Sequence, residues 1–121
     1  MKRILIVDDD EPLRRLLSQA LARAGYAVIT AENGVAALRL YREEPVELVI
    51  TDLIMPEKEG FETIMELRRI EPNLKIIAIS GGGRVDAGDY LPTARHLGAA
   101  RTLAKPFSFQ EMLEAVKGLL N

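Results

Sequence analysis

Three short, almost continuous apolar segments constrain most tightly what this chain can fold into. They are residues 3–7, 47–51 and 75–79, and stretches with helical spacing of apolar residues separate them. Continuous apolar runs of this length are typical of parallel strands that are buried on both faces. The sequence therefore favours a parallel sheet that is covered by helices on both sides.

Weaker segments complete the predicted architecture. Residues 27–31 and 100–103 are less apolar, which predicts two further strands at the edges of the sheet. Helices are predicted over residues 12–24, from Asn33 to 44, over 61–70, over 89–97 and after Ser108. Ser108 and Glu111 have the spacing of a capping box, which marks the start of the last helix. Strands that alternate with helices predict one doubly wound (βα)5 domain over residues 1–121.

Composition excludes several classes of function. The chain has 121 residues, of which 48% are hydrophobic, and this suffices for a single domain with its own core. It has no cysteine, so disulfides, thiolate zinc sites and cysteine nucleophiles are excluded. A formal net charge of −2 argues against nucleic-acid binding. The first apolar run ends at Asp8, which is too early for a signal peptide or a membrane span, so we expect a cytoplasmic protein.

Polar side chains follow four of the predicted strands at their carboxyl ends. Asp8 and Asp9 follow the first strand, and Asp52 follows the third. Ser80 closes the fourth strand, and Lys105 follows the fifth. In an open α/β sheet this edge is where ligands bind. Carboxylates, a hydroxyl and an ammonium at one edge predict a metal-assisted phosphoryl-transfer site.

Each acidic residue has a chemical interpretation and a simpler alternative. Mg²⁺ prefers oxygen ligands, so Asp8, Asp9 and Asp52 together predict part of its coordination shell. The alternative is that the acidic run, which continues to Glu11, only caps the first helix. The Asp52 carboxylate can act as a nucleophile toward phosphorus and form an acyl phosphate. The alternative for Asp52 is an aspartate that stabilises a turn.

The remaining polar residues are also open to two interpretations. Ser80 can donate a hydrogen bond to a phosphoryl oxygen and Lys105 can neutralise another, or they are a turn serine and a solvated lysine. Glycines 81–83 lack the following Gly-Lys-Ser or Gly-Lys-Thr of a P-loop, so we interpret them as a loop. His96 is predicted to be a surface residue rather than a phosphate carrier.

Several segments, taken in order, resemble one protein family. They are residues 4–12, 52–60, Ser80, Gly98-Ala99 and Lys105-Pro106-Phe107. With this spacing the chain resembles, over essentially its full length, the receiver domain of bacterial two-component response regulators. The resemblance implies a flavodoxin-like fold in which Asp52 accepts a phosphoryl group from a histidine kinase or a histidine phosphotransfer protein.

The resemblance also implies roles for the other site residues. The ligands that it implies for Mg²⁺, or for Mn²⁺ in its place, are Asp8, Asp9, Asp52 and the backbone carbonyl of Ile54. Ser80 and Lys105 would contact the phosphoryl group and bias a surface formed by the predicted fourth helix, fifth strand and fifth helix. The peptide bond before Pro106 is expected to be cis. Such a domain phosphorylates and dephosphorylates itself and is not a turnover enzyme.

Two departures from the family pattern keep an alternative open. Thr102 stands three residues before the lysine, where family members usually carry Tyr or Phe. The stretch from Ser80 to Lys105 is long, which predicts a flexible loop and an unusual fourth helix. Thr102 favours an interaction module of the same fold that works without phosphorylation, whereas the complete set of pocket residues argues against it.

Other functions on related folds fit the sequence less well. A Mg²⁺-dependent phosphohydrolase would need a second aspartate at the position of Ile54, and a flavin carrier would need a hydroxyl-rich loop after the first strand. One receiver uses the whole length, so we expect no output domain, in a chain that either stands alone or is excised from a longer protein. We expect a monomer or weak homodimer, with a downstream protein partner that the sequence does not identify.

Overall fold

A five-stranded parallel sheet forms the centre of the computed structural model, which describes residues 1–53, 60–80 and 98–121. Its strands are β1 (Arg3–Val7), β2 (Ala27–Ala31), β3 (Leu48–Asp52), β4 (Lys75–Ser80) and β5 (Arg101–Ala104). Their order across the sheet is β2-β1-β3-β4-β5, and every neighbouring pair is parallel. The predicted sheet is confirmed, and so is the prediction that β2 and β5 are its edges.

The described helices are α1 (Glu11–Arg23), α2 (Gly34–Glu43), α3 (Gly60–Ile70) and α4 (Phe109–Leu120). The helix predicted over residues 89–97 lies outside the described residues, so α4 is the helix predicted after Ser108. Sequence-based helix limits for α1 and α3 agree with the structure to within one residue at each end. None of the helices in the described ranges is both long and apolar enough to cross a membrane.

Side-chain caps explain where three of these helices begin. The Asp10 side chain accepts a hydrogen bond at the start of α1, and Asn33 does the same for α2. At the start of α4, Ser108 Oγ accepts from the Glu111 amide at 3.1 Å, and Glu111 Oε1 accepts from the Ser108 amide at 3.2 Å. The predicted capping box is therefore present.

Two apolar clusters cover the two faces of the sheet. Alternate strand residues point to opposite faces, and all five residues of β3 are buried. The cluster between the sheet and helices α2 and α3 includes Leu5, Val49, Ile76, Leu38, Ile64 and Leu67. The cluster between the sheet and helices α1 and α4 includes Ile4, Ile50, Ile77, Leu17, Leu21, Met112 and Val116. In the described residues, this doubly wound packing covers the two faces of the sheet and not its carboxyl edge, where Asp8 and Asp52 lie.

Candidate functional site

The carboxyl edge of the sheet brings together residues that are far apart in the sequence. Asp8 and Asp9 follow β1, Asp52 ends β3, and Lys105 follows β5. One carboxylate oxygen from each of the three aspartates lies within 4.8 Å of the other two. Lys105 Nζ donates a hydrogen bond to Asp52 Oδ2 at 3.0 Å and lies 3.4 Å from Asp8 Oδ2. Four of the predicted site residues therefore form one cluster.

The structure places the backbone of Ser80 at the same edge. Ser80 ends β4, and it pairs in register with Ala104, the residue directly before Lys105. The contacts of the Ser80 hydroxyl lie outside the described part of the structure. Ile54, which was predicted to offer a carbonyl to the metal, also lies outside the described residues. The same holds for the glycines 81–83 and for His96.

Asp8 is the most enclosed of the three acids, with 1% of its surface exposed. Its amide donates to the Ala31 carbonyl at 3.2 Å, and its Oδ1 accepts from the Asp10 amide at 2.9 Å. Its own carbonyl accepts a hydrogen bond from Arg14 Nη1 at 2.7 Å. Asp8 Oδ2 is buried and accepts no hydrogen bond, although it faces the Lys105 ammonium. A buried oxygen without a donor is costly, and it suits a cation.

The electrostatics of the cluster show an excess of negative charge. Burial raises the pKa of Asp8 to about 6, the hydrogen bond from the Asp10 amide opposes this rise, and the charge of Asp52 adds to it. Burial alone lowers the pKa of Lys105, but the hydrogen bond to Asp52 and the charges of Asp8 and Asp52 raise it above its ordinary value. One ammonium faces more than one carboxylate here, so a further cation would relieve the repulsion.

The donor set fits Mg²⁺. Mg²⁺ is usually held by one or two carboxylates, with waters and phosphate oxygens in its remaining positions. Asp8 Oδ2 is an unsatisfied buried oxygen, whereas Asp9 is exposed, so the solvent side of the cluster can admit those other ligands. Across residues 1–53, 60–80 and 98–121, no other group of acidic or histidine side chains has this spacing.

The acidic run after β1 divides into two halves with different roles. Asp10 caps α1, and Glu11 lies in the first turn of that helix, as the capping alternative predicts for these two residues. The carboxylates of Asp8 and Asp9 instead lie close to Asp52. Helix capping therefore explains only the second half of the run.

Three supporting residues were not singled out from the sequence. The Gly60 amide donates to the Leu53 carbonyl at 2.9 Å, and a Cβ at Gly60 would overlap the backbone of Asp52. Thr51 Oγ1 donates to the Asp52 carbonyl at 3.0 Å. Arg14 bonds the backbone beyond β1. The glycine belongs to a segment that resembles the receiver family, whereas the contacts of Thr51 and Arg14 arise from packing and leave no pattern in the sequence.

Two features of β5 and the residues after it bear on the family resemblance. The peptide bond between Lys105 and Pro106 is cis, as the resemblance implies. Thr102 lies on β5, partly buried and in register with Ala78. The position where the family usually carries an aromatic residue is thus part of the edge strand.

The sequence model of the response regulator receiver domain matches residues 4–117. The chain belongs to this family. The response regulator receiver protein CpdR of Brucella abortus is 38% identical over 120 residues, which are 99% of this chain and 98% of CpdR. Sporulation initiation phosphotransferase F of Bacillus subtilis is 34% identical over 119 residues, 98% of this chain and 94% of that protein. Other curated relatives are longer, and the chain spans 24% of one and 48% of another.

Solved structures confirm the receiver fold. The response regulator TrrA of Thermotoga maritima, in complex with Mg²⁺-BeF, gives a TM-score of 0.87 at 38% identity, over 99% of this chain and all of TrrA. The chemotaxis response regulator CheY4 of Vibrio cholerae gives 0.88 at 28% identity, over 99% of both chains. Receiver domains are signalling domains rather than metabolic enzymes, and histidine kinases or phosphotransfer proteins phosphorylate them on an aspartate.

Proposed function

We propose that this chain is a cytoplasmic switch in which Asp52 accepts a phosphoryl group from a phosphohistidine in a Mg²⁺-dependent reaction. The observation that carries the proposal is the 3.0 Å hydrogen bond from Lys105 Nζ to Asp52 Oδ2. The carboxylates of Asp8 and Asp9 support it, because their oxygens lie within 4.8 Å of Asp52. A carboxylate beside both an ammonium and a cation site has the surroundings that phosphoryl transfer requires.

The proposed step forms one bond and breaks one bond. An Asp52 oxygen attacks the phosphorus atom, the bond from phosphorus to the histidine nitrogen breaks, and an acyl phosphate remains on Asp52. Lys105 then neutralises one oxygen of the transferred group, and the Ser80 hydroxyl donates to another. Asp52 is 4% exposed, so little water surrounds these charges and their interactions are strong.

Mg²⁺ fits this proposal as the cofactor. Its proposed ligands are Asp8, Asp9, Asp52 and, by resemblance to the family, the backbone carbonyl of Ile54. When bound, the cation supplies positive charge for the phosphoryl oxygens. Mn²⁺ has the same preference for carboxylate and water ligands, so we expect it to substitute.

The proposed phosphodonor is a histidine kinase or a histidine phosphotransfer protein. A groove of about 370 Å³ opens beside Lys105, and its walls are Asp10, Leu13, Lys105, Pro106 and Phe107. Leu16, one turn further along α1, is 64% exposed. A partly apolar surface beside Lys105, which contacts the acceptor carboxylate, offers room for the donor protein. The downstream partner would recognise the surface that changes when Asp52 is phosphorylated.

Intact mass spectrometry tests the proposed function. The chain is incubated with Mg²⁺ and the small phosphodonor acetyl phosphate, beside an Asp52→Asn variant and a sample with excess EDTA. We expect the mass of one phosphoryl group to be added to the parent chain and to neither control. A parent chain that binds Mg²⁺ but gains no phosphoryl group would contradict the proposal. That result would favour the phosphorylation-independent interaction module instead.

A further inference from the structure

We infer that Arg14 is a positioning residue for the two metal ligands that follow β1, an inference that rests on the proposed function. Arg14 Nη1 donates to the carbonyl oxygen of Asp8 at 2.7 Å. This carbonyl belongs to the peptide unit that joins Asp8 to Asp9. A hydrogen bond to it therefore restrains the plane from which both carboxylates extend.

The peptide unit after Asp8 needs such a partner because it lies beyond the sheet. β1 ends at Val7, and the Asp8 amide still donates to the Ala31 carbonyl on the neighbouring strand. The Asp8 carbonyl is past the last residue pair of the ladder, and a buried carbonyl without a donor is costly. Arg14 is partly buried, and its guanidinium gives a charge-assisted bond that is stronger than a neutral one.

Arg15 provides a matched control on the same turn of α1. Its side chain is 65% exposed, and it forms an i,i+4 ion pair with Glu11 on the same helix. Removal of Arg15 changes the net charge and the helix propensity as removal of Arg14 does. The two variants differ in the contact that each loses, which is the hydrogen bond to Asp8 in Arg14→Ala and the exposed ion pair with Glu11 in Arg15→Ala.

The charge of Arg14 and its hydrogen bond affect the affinity for Mg²⁺ in opposite directions. A cationic side chain near a metal site repels the metal, so loss of the charge alone would strengthen Mg²⁺ binding. Loss of the positioning bond would weaken it, since partners of metal ligands typically contribute a factor of about 10 or more in affinity. The direction in which Arg14→Ala changes the Mg²⁺ affinity therefore shows whether the charge or the hydrogen bond has the larger effect. Glutamine keeps an N–H donor without the charge.

Amide chemical-shift titrations with MgCl₂ on the ¹⁵N-labelled chain measure this effect without any phosphodonor. We expect the Kd for Mg²⁺ to rise about tenfold in Arg14→Ala and to stay unchanged in Arg15→Ala. Arg14→Gln should bind Mg²⁺ more tightly than Arg14→Ala, because both variants lose the charge and only glutamine can still donate to the Asp8 carbonyl. With acetyl phosphate as the donor, phosphorylation of Arg14→Ala should be slower than that of the parent at low Mg²⁺. At saturating Mg²⁺ the two rates should be equal.

The outcomes separate this inference from the proposed function. No Mg²⁺-dependent shift in the parent chain would contradict both. Mg²⁺ binding by the parent, with equal or tighter binding by Arg14→Ala, would overturn the positioning role and leave the proposed function intact. If the amide spectrum shows that Arg14→Ala is unfolded, Arg14→Met replaces it, because methionine keeps an aliphatic side chain and has neither the charge nor the donor. Weaker Mg²⁺ binding by Arg14→Met than by the parent supports the positioning role, and equal or tighter binding overturns it.

Discussion

Lys105 Nζ donates a hydrogen bond to Asp52 Oδ2 at 3.0 Å, although 53 positions separate the two residues in the sequence. Asp52 ends β3 and Lys105 follows β5, and β4 lies between these two strands in the sheet. The same ammonium lies 3.4 Å from Asp8 Oδ2. Lys105 is thus the positive charge that links the acceptor aspartate to the proposed metal ligands.

Replacement of Lys105 by methionine should destabilise the metal-free chain. The buried carboxyl groups of Asp8 and Asp52 would lose their cationic partner, and loss of one member of such a buried group costs about 1–3 kcal/mol. Urea unfolding at neutral pH with EDTA measures this change in the free energy of unfolding. Lys117→Met, at an exposed position on α4, is the matched control and should have little effect. Equal stability of the two variants would argue against the electrostatic role of Lys105.

Asp8→Asn should stabilise the metal-free chain at neutral pH. The pKa of Asp8 rises from 3.8 to about 6 on folding, so ionised Asp8 opposes folding above pH 6. A shift of this size corresponds to about 1–3 kcal/mol. The native state binds the extra proton between these two pKa values, so parent stability should rise as the pH falls from 6 to 4. Urea unfolding between pH 4 and pH 6 should show that the free energy of unfolding of the parent depends on pH. The dependence should be weaker in Asp8→Asn.

Addition of Mg²⁺ should stabilise the parent chain and leave Asp8→Asn almost unchanged. A ligand that binds only the folded state stabilises it by about 1.4 kcal/mol at ten times its Kd. Asp8 offers the buried oxygen that accepts no hydrogen bond, and its amide replacement cannot supply the same charge. Thermal unfolding with increasing MgCl₂ measures the effect. NaCl at matched ionic strength controls for screening, and an equal rise in Tm in both proteins would contradict the assigned ligand.

Gly60→Ala should be far more damaging than Gly25→Ala. A Cβ at Gly60 would overlap the carbonyl oxygen of Asp52 and the Cα of Leu53, so the backbone beside the acceptor would have to move. Gly25 has φ +102° and no atom within 4 Å of an added Cβ, so its replacement meets only backbone strain of about 1–2 kcal/mol. Urea unfolding compares the two variants, and Mg²⁺ titration reports damage at the site. An equal loss in the free energy of unfolding in the two variants would show that the close approach at Gly60 is not important.

Much of the fold could be predicted because its strands have a strong local signature. The apolar runs of β1, β3 and β4 identified buried parallel strands, and the more polar β2 and β5 were correctly placed at the edges. Parallel strands end at one edge, so the sequence also predicted that Asp8, Asp52 and Lys105 would meet.

Other features of the site depend on the directions in which side chains point, and a sequence pattern does not encode these. The division of the acidic run into Asp8 and Asp9 at the site and Asp10 at the helix follows from where α1 begins. Arg14 and Arg15 are neighbours of one residue type, yet one contacts the Asp8 backbone and the other pairs within its helix. Side-chain direction on a packed helix decides between them, and the sequence gives no sign of it.

The measurement that tests the central claim most directly is the location of the phosphoryl group. The chain is incubated with Mg²⁺ and acetyl phosphate and treated with borohydride, which reduces an aspartyl phosphate to homoserine. Peptide sequencing by mass spectrometry then identifies the modified position. We expect homoserine at position 52, dependent on both Mg²⁺ and acetyl phosphate. Homoserine in place of Asp8 or Asp9, or none in a chain that has gained a phosphoryl group, would contradict the role of Asp52.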